Sequence, residues 1–359
     1  MSDLRDGISE EERGLLRDSI RGYLTDHWPV EGAVERSTDP EALRAIWRGL
    51  GAQGLARLGA DAAEGGLREI LLAFEELGRA SCPAPLLGAV VANIALRGRG
   101  DLAELRAAIA RGDAAIAVGL AAFDGDPAAG RARLMRGALS GHVSFVEGAI
   151  TATHFAVFTD VPAGIAIVAA EAAGVTVTPS PGLAVPALSE LEFASTPAAW
   201  IECPATLLEE LALVARVACA ARALGAAQRG FDLALEHAKV RRQFGQLIGQ
   251  FQALQHKLAD CLIRLDGSRL VLDGAAGAYD RGAADWRVFA AAGLAYAGPG
   301  LRQVALEAHH AMGAIGYAEE HELPRHFRRA HADLARFGGA PGARAALADH
   351  LLGPLATNS

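Results

Sequence analysis

The sequence predicts an α+β protein: an N-terminal all-α domain over residues 1–112, a middle β domain (a small barrel or sandwich) over 113–203, and a C-terminal four-helix bundle over 204–359. Three observations predict it. Apolar residues recur at helical spacing through the first third of the chain. From about residue 113 the texture changes to short β-branched or alternating runs separated by Gly, Pro and Asp. From about residue 204 long helical runs return, divided by Gly-rich or Pro-bearing turns.

In the first region, "SEEERGLLRDSIRGYLTDHW" opens at Ser9 with Glu11 and Glu12 in the first turn, an N-terminal cap signature. "DPEALRAIWRGLGAQGL" and "EILLAFEELGRASCPAPLLGAVVANIAL" continue the pattern, and Pro83 and Pro85 mark a break between helices. In the middle region "AAIAVGL", "ALSGHVSFVEGA", "HFAVFTDV", "GIAIVAAE", "GVTVTPS" and "SELEFAS" read as strands, for an expected six or seven in all. In the last region a long helix over about 207–240 is followed by "RRQFGQLIGQ", then a new helix from "QFQALQHKLAD".

Composition excludes several function classes. The net charge is −8, so no nucleic-acid or anionic-membrane surface is expected. The four cysteines (Cys82, Cys203, Cys219, Cys261) are scattered and lack metal-ligand spacing, which predicts no metal site and a cytoplasmic location. Adjacent His309 and His310 point in different directions on a helix, with no carboxylate or cysteine spacing to join them. The acidic start "MSDLRDGISEEERG" is unlike a signal peptide, and no apolar run of about 18 residues predicts a membrane span. "RHFRRAH" reads as a solvated basic face, with contact to a ligand's phosphate as the other reading.

The stretch "RRQFGQLIGQFQALQHKLAD" carries the chemistry. Glycine is about 1 kcal/mol worse than alanine within a helix, so Gly245 and Gly249 break two good helical runs. A helix start presents backbone N–H groups to anions. Arg241 adds a planar fork suited to phosphate, and Phe244 adds an apolar face for a flat ring. Those features describe a seat for the pyrophosphate and adenine of a dinucleotide; an ordinary interhelical turn with solvated arginines is the other reading.

This stretch resembles the acyl-CoA dehydrogenase family, whose motif is an Arg two residues before Gln/Thr-Phe-Gly, then a hydrophobic turn and a Phe/His-Gln pair. Arg241, Gln243, Phe244, Gly245, Ile248, Phe251 and Gln252 match it. The resemblance implies that the segment reaches across a subunit interface to the diphosphate and adenine of a neighbour's FAD. "HHAMGAIGYAEEHELPRHFRRA" is similar to the family's Gln-x-x-Gly-Gly-x-Gly-Tyr: His310, Gly313, Gly316 and Tyr317 fit, with His310 in place of Gln and Ala314 in place of the second glycine. The implied cofactor contacts therefore include His310, Gly313 and Ala314. Arg216 falls where many members carry an arginine near the substrate's reacting end, and "FEELGRASCPAPLL" resembles a family helix.

The chain departs from the family where the chemistry is done. The family's reaction takes a proton from Cα of an acyl thioester and a hydride from Cβ, so a carboxylate base is needed. The usual Tyr-Glu-Gly reads Phe337-Gly338-Gly339, with Gly338 at the Glu position, and the alternative base position holds Ala215. Glu209, Glu210 and Glu236 lie on the same helix as Ala215 but fit neither position, and read as solvated charges. The family's Thr-Glu-Pro is replaced by "LAAFDGDP", and its Trp-x-Thr reads Phe145-Val146-Glu147. The resemblance thus implies the smaller, base-lacking subunit of a two-subunit bacterial enzyme of the sterol side-chain type. Its larger homologous partner would supply the catalytic Glu in a heterotetramer, with a self-tetramer as the alternative. An acyl-CoA substrate and an electron-transfer flavoprotein as acceptor follow from the same resemblance. A purely structural subunit and a flavin-dependent monooxygenase of the same fold are the competing readings.

Overall fold

The structure, a computed structural model, describes residues 8–61, 64–120, 130–180, 188–336 and 339–353. It divides into two compact units, one formed by Met1–Ala73 with Pro83–Ala218 and the other by Phe74–Cys82 with Cys219–Ser359.

The first unit begins with helix α1 (Glu10–His27), started by the capping box the sequence announces: Ser9 Oγ accepts from the Glu12 N–H, and Glu12 Oε2 accepts from the Ser9 N–H. Helices α2 (Ala33–Arg36), α3 (Pro40–Ala52), α4 (Leu67–Arg79), α5 (Leu86–Ala95) and α6 (Ala103–Ala110) follow, with α4 crossing into the second unit after Ala73. Asp39 caps α3 and a proline sits in its first turn, where a missing N–H costs nothing. All ten residues of α5 are buried. A Cβ on Gly88 would lie 1.7 Å from the Ile116 carbonyl oxygen, so glycine there lets α5 press on the first strand.

Eight strands follow: β1 (Ile116–Gly119), β2 (Gly130–Met135), β3 (Ala138–Glu147), β4 (His154–Asp160), β5 (Ala163–Ala169), β6 (Val175–Pro179), β7 (Leu188–Pro197) and β8 (Ala199–Glu202). They form two four-stranded sheets, in the orders β1-β4-β5-β8 and β2-β3-β7-β6. Alanine, valine and phenylalanine side chains from both sheets fill one core, where Phe155 meets Phe193 edge-on with ring centroids 6.4 Å apart. The strands absent from the sequence reading are β2 and β8. β2 is an edge strand whose Arg131 and Arg133 face outward, so its β-pattern is written in charge rather than in branched apolar residues.

The second unit is helical. It contains the end of α4, then α7 (Ala205–Val240) from Cys219 onward, and a two-stranded hairpin of β9 (Arg242–Gln243) and β10 (Gln246–Leu247). Helices α8 (Gln252–Asp280), α9 (Trp286–Met312), α10 (Leu323–Ala335) and α11 (Gly339–Leu352) complete it, α9 packing against α8, α10 and α11. Gly78 of α4 and Gly225 of α7 put backbone on backbone: a Cβ on Gly78 would sit 1.9 Å from the Arg222 carbonyl oxygen, and one on Gly225 would sit 1.8 Å from that of Glu75. The "RHFRRAH" segment is not a solvated face. Arg325, His326 and Arg329 are buried, with Glu322 supplying a carboxylate beside His326 and Asp333 one beside Arg329. Among the described residues, no helix is long and apolar enough to cross a membrane, and no group of three His, Cys, Asp or Glu could hold a metal.

Candidate functional site

The break after α7 is a β-hairpin rather than a plain turn. Arg242 pairs with Leu247 and Gln243 with Gln246 in antiparallel register. The connecting residues Phe244 and Gly245 both have positive φ, +53° and +83°, the pattern of a type I′ turn. Gly245 adopts this without penalty, whereas Phe244 pays about 1–2 kcal/mol for its Cβ. Phe244 is also 92% exposed and meets Phe251 edge-on, with centroids 6.2 Å apart. Arg241 and Arg242 are exposed beside it, and Gln243 turns its amide back to the Arg242 carbonyl.

Past the hairpin, Ile248–Gln250 form one 3₁₀ turn that folds back on α7: the Ile248 N–H donates to the Arg241 carbonyl at 2.9 Å. A Cβ on Gly249 would lie 2.8 Å from the Ala238 carbonyl oxygen, so this glycine is a packing requirement. Helix α8 then starts at Gln252 from an N-cap, Phe251, that offers no side-chain hydrogen bond. Gln252 is exposed, while Ile248 and Phe251 are half-buried. Arg241, Gln243, Phe244, Ile248, Phe251 and Gln252 are therefore brought together as one exposed knuckle ending in an uncapped, partially positive helix N-terminus.

His310, Gly313 and Ala314 lie where α9 ends. An ion pair of Lys257 on α8 with Glu307 on α9, at 2.9 Å, ties that end to the start of α8. Gly313 has φ +62° and ψ −140°, a region reserved for glycine, yet a Cβ there would meet nothing within 4 Å. Its glycine is required by conformation, not by crowding. Gly316 is different: it is buried against Met312 and Leu323 of its own chain. Ala314 is exposed in the 3₁₀ turn Gly313–Tyr317. His309 is buried, its ring edge-on to Phe327 and Tyr317, while His310 points outward and carries Nδ1 3.3 Å from Glu307 Oε2.

Arg216 is half-buried on the part of α7 that belongs to the first unit, apart from the hairpin residues in the second. Glu209 and Glu236 are exposed and Glu210 is half-buried. Phe145 sits with φ +62° in a bulge of β3, where the register with β7 shifts between Val143 and Val146; it is half-buried, as is Glu147. Phe337 and Gly338, and residues 121–127 of the "LAAFDGDP" segment, lie outside the described residues.

Two polar clusters beneath the site were not legible beforehand. Arg222 Nε and Nη2 hold both oxygens of Asp333 at 2.8 and 2.7 Å, fully buried, and Arg329 reaches the same carboxylate at 3.4 Å. Arg229 holds Glu322 through two bonds of 2.6 and 3.2 Å, and His326 Nε2 lies 3.2 Å from the same carboxylate. Burial opposes ionisation of Glu322, but the bonds from His326 and Arg229 outweigh it and hold the carboxyl at about 2. Burial also pushes the imidazoles of His326, His309 and His331 below the ordinary histidine value. His326 is therefore neutral at neutral pH, and the Arg229 fork is the durable part of Glu322's stabilisation.

Acid should accordingly weaken this unit in two windows. A histidine whose folded pKa is depressed contributes stability that begins to fall as pH drops through 6.5. Glu322, depressed from 4.5 to about 2, contributes stability that is present above 4.5 and lost toward 2. Protection of the α10 amides, measured relative to their intrinsic exchange at each pH, is expected to fall in both windows, and Glu322→Gln should abolish only the lower fall. Protection that stays the same across both windows would contradict this assignment.

Comparison with known proteins places this architecture in a class of helical–β–helical oxidoreductases. The family model for the acyl-CoA dehydrogenase C-terminal domain matches residues 206–349. Acyl-CoA dehydrogenase IpdE2 of Mycobacterium tuberculosis (strain ATCC 25618 / H37Rv) is 30% identical over 332 residues, covering 89% of this chain and 91% of the relative. The protein of the same name from Mycolicibacterium smegmatis (strain ATCC 700084 / mc(2)155) is 29% identical over 337 residues, covering 91% and 95%. Among solved structures, a variant of the Tcur3481-Tcur3483 steroid ACAD superposes with a TM-score of 0.84 at 28% identity, covering 94% of this chain and 97% of that one. The chain belongs to the acyl-CoA dehydrogenase family.

Proposed function

We propose that the chain is a subunit of an FAD-dependent acyl-CoA dehydrogenase that desaturates a CoA thioester between Cα and Cβ, with the catalytic carboxylate supplied by a larger homologous partner. The observation that carries this is the hairpin tip: a strained, fully presented Phe244 flanked by the exposed Arg241 and Arg242 and followed by an uncapped helix start. The donor set suits an anionic dinucleotide, with a guanidinium fork and free helix N–H groups for the diphosphate and an aromatic face for the adenine.

FAD, when bound, supplies a hydride acceptor for the substrate's Cβ. This chain's part is to hold the nucleotide end: Arg241 and the N–H groups at Gln252 take the diphosphate, and Phe244, Ile248 and Phe251 shelter the adenine. Gln243, His310, Gly313 and Ala314 complete the contact. Proton removal from Cα falls to the partner, because Gly338 and Ala215 occupy both positions where the family carries its base. That division supports a heterotetramer with half the flavin expected per subunit. An acyl-CoA of bulky, sterol side-chain type as substrate and an electron-transfer flavoprotein as acceptor belong to the same proposal, as does a cytoplasmic location.

Two preparations test it. The chain purified alone should show little flavin and no dehydrogenase activity; co-expression with a homologue that keeps Tyr-Glu-Gly and Thr-Glu-Pro should restore both. Arg241→Ala in that complex should weaken flavin retention about 10- to 100-fold, the worth of a charge-assisted phosphate contact, without dissociating the subunits. Full flavin and full activity from the chain alone would falsify the division of labour. Dissociation with flavin retained would instead make the hairpin an assembly element.

A further inference from the structure

Four exposed positions on α8 repeat in mirror order. Ala259, Ile263, Leu270 and Gly274 follow one another at intervals of four, seven and four residues. That spacing puts them on one helical face. All four are exposed, Ile263 at 66% and Leu270 at 72%. In size they read small, large, large, small, symmetric about the peptide between Asp266 and Gly267.

The chain itself leaves this face open. A Cβ on Gly274 would meet nothing within 4 Å among the described residues, and its φ is not positive. Neither crowding nor torsion requires glycine there, although it costs about 1 kcal/mol against alanine inside a helix. On the flank, Tyr296 of α9 leans over Gly267, where a Cβ would lie 2.4 Å from its Oη. Tyr296 is exposed, as is Phe289 two helical turns before it, so the apolar face widens onto α9. Asp266, the charge at the midpoint, is met by Arg269 Nη1 at 3.2 Å.

We infer that this face of α8, with the Phe289–Tyr296 flank of α9, is a self-association surface that pairs two copies of this chain in antiparallel register. A two-fold axis through the Asp266–Gly267 midpoint sets Ile263 against Leu270 of the second copy and Ala259 against Gly274 of the second copy. Each contact then occurs twice, as an isologous interface demands. The small pairs at the two ends let the backbones approach to about 8 Å, and the large pairs fill the space between. A face symmetric about its own midpoint is what an identical chain requires; a non-identical partner has no call for it. Together α8 and α9 present a layer about 40 Å long and about 20 Å wide, or about 800 Å² per copy, the area that one partner of a stable complex buries. The proposed two-plus-two assembly gains from this its contact between like subunits, distinct from the hairpin's contact with the larger one.

The test uses the full chain alone and the co-expressed complex. Alone, the chain should sediment as a dimer. Leu270→Glu should raise the dimer dissociation constant at least about 100-fold, because symmetry makes one substitution remove two apolar contacts. Leu270 is exposed, so the variant should keep the wild-type circular dichroism and melting midpoint. Cross-linking reads the register, and the native cysteines are buried away from it. A mixture of Ile263→Cys and Leu270→Cys chains should form a disulfide between copies under mild oxidation. Either variant alone should not, since its two thiols lie about 10 Å apart along the helix axis, beyond disulfide reach. In the complex, Leu270→Glu should turn the two-plus-two assembly into a one-plus-one pair that keeps its flavin. A chain that is monomeric alone, or single variants that cross-link as readily as the mixture, overturns the inference. So does loss of the larger subunit from the Leu270→Glu complex, which would give the face to the unlike partner. Failure of the functional reading looks different: no larger partner would be captured and no flavin bound, while the self-dimer and its register remained.

Discussion

Asp333→Ala is expected to lower the melting midpoint of the helical unit by on the order of 10 °C, corresponding to about 3–5 kcal/mol. The two oxygens of Asp333 accept from Nε and Nη2 of Arg222, and Arg329 donates to one of those oxygens from one turn away. Arg222 and Asp333 expose 1% and 0% of their side chains, so water cannot replace the lost partner. In an exposed pair the same deletion would cost about 1 kcal/mol or less, because solvent screens both charges. The destabilisation belongs to buried guanidiniums deprived of the carboxylate they share. Arg222→Met with Asp333→Leu should recover only part of the loss, since it removes the charges of that pair but leaves the buried Arg329 without the same carboxylate. Thermal scans of the two variants check this. An Asp333→Ala midpoint within a degree or two of wild type would show that the pair contributes nothing net.

How far the sequence could be read depended on the range of the interaction being read. The start of α1 was legible because Ser9 and Glu12 are three residues apart and satisfy each other locally. The break after α7 was legible as a break, since Gly245 and Gly249 oppose helix. Its form was not, because a type I′ hairpin usually announces itself with Asn-Gly, and here a phenylalanine occupies the first left-handed position. The torsions of Gly313, which demand glycine although its Cβ would meet nothing of its own chain, are not written in any local pattern. The basic run around Arg325–Arg329 was misread as solvated. Its own carboxylates are local, Glu322 four residues before His326 and Asp333 four after Arg329, but each is also held by a distant arginine: Arg222 pairs with Asp333 from 111 positions away, and Arg229 with Glu322 from 93. Charge composition within a window cannot show them. The cluster of Gln303, Glu307 and His310 with Lys257 lay between these cases. Its α9 members have i,i+4 and i,i+3 spacing, readable in principle, whereas Lys257 arrives from another helix.

Gly225→Ala should be among the most damaging single methyl groups that can be added to this chain. Its Cβ would lie 1.8 Å from the Glu75 carbonyl oxygen, a distance no rotamer change relieves because both atoms belong to backbone. The two helices must separate, at a cost of about 3 kcal/mol or more, the upper end of overpacking. Separation also stretches the ion pair that stitches them, Arg79 to Asp232 at 2.7 Å. Gly78→Ala attacks the same crossing from the other side, with its Cβ 1.9 Å from the Arg222 carbonyl oxygen. Once either methyl has pushed the helices apart, the second finds its space already opened. The double variant should thus be destabilised by clearly less than the sum of the singles, a coupling of about 1 kcal/mol or more in a double-mutant cycle. Sites acting independently would instead add to within about 0.5 kcal/mol, and that result would mean the two glycines do not share one backbone crossing. The same lift would strain the residue between them, because Arg222 carries both the carbonyl under Gly78 and the guanidinium that holds Asp333. Combining Gly78→Ala with Asp333→Ala should for that reason also fall short of additivity, linking the α4–α7 crossing to the buried ion pair through one residue.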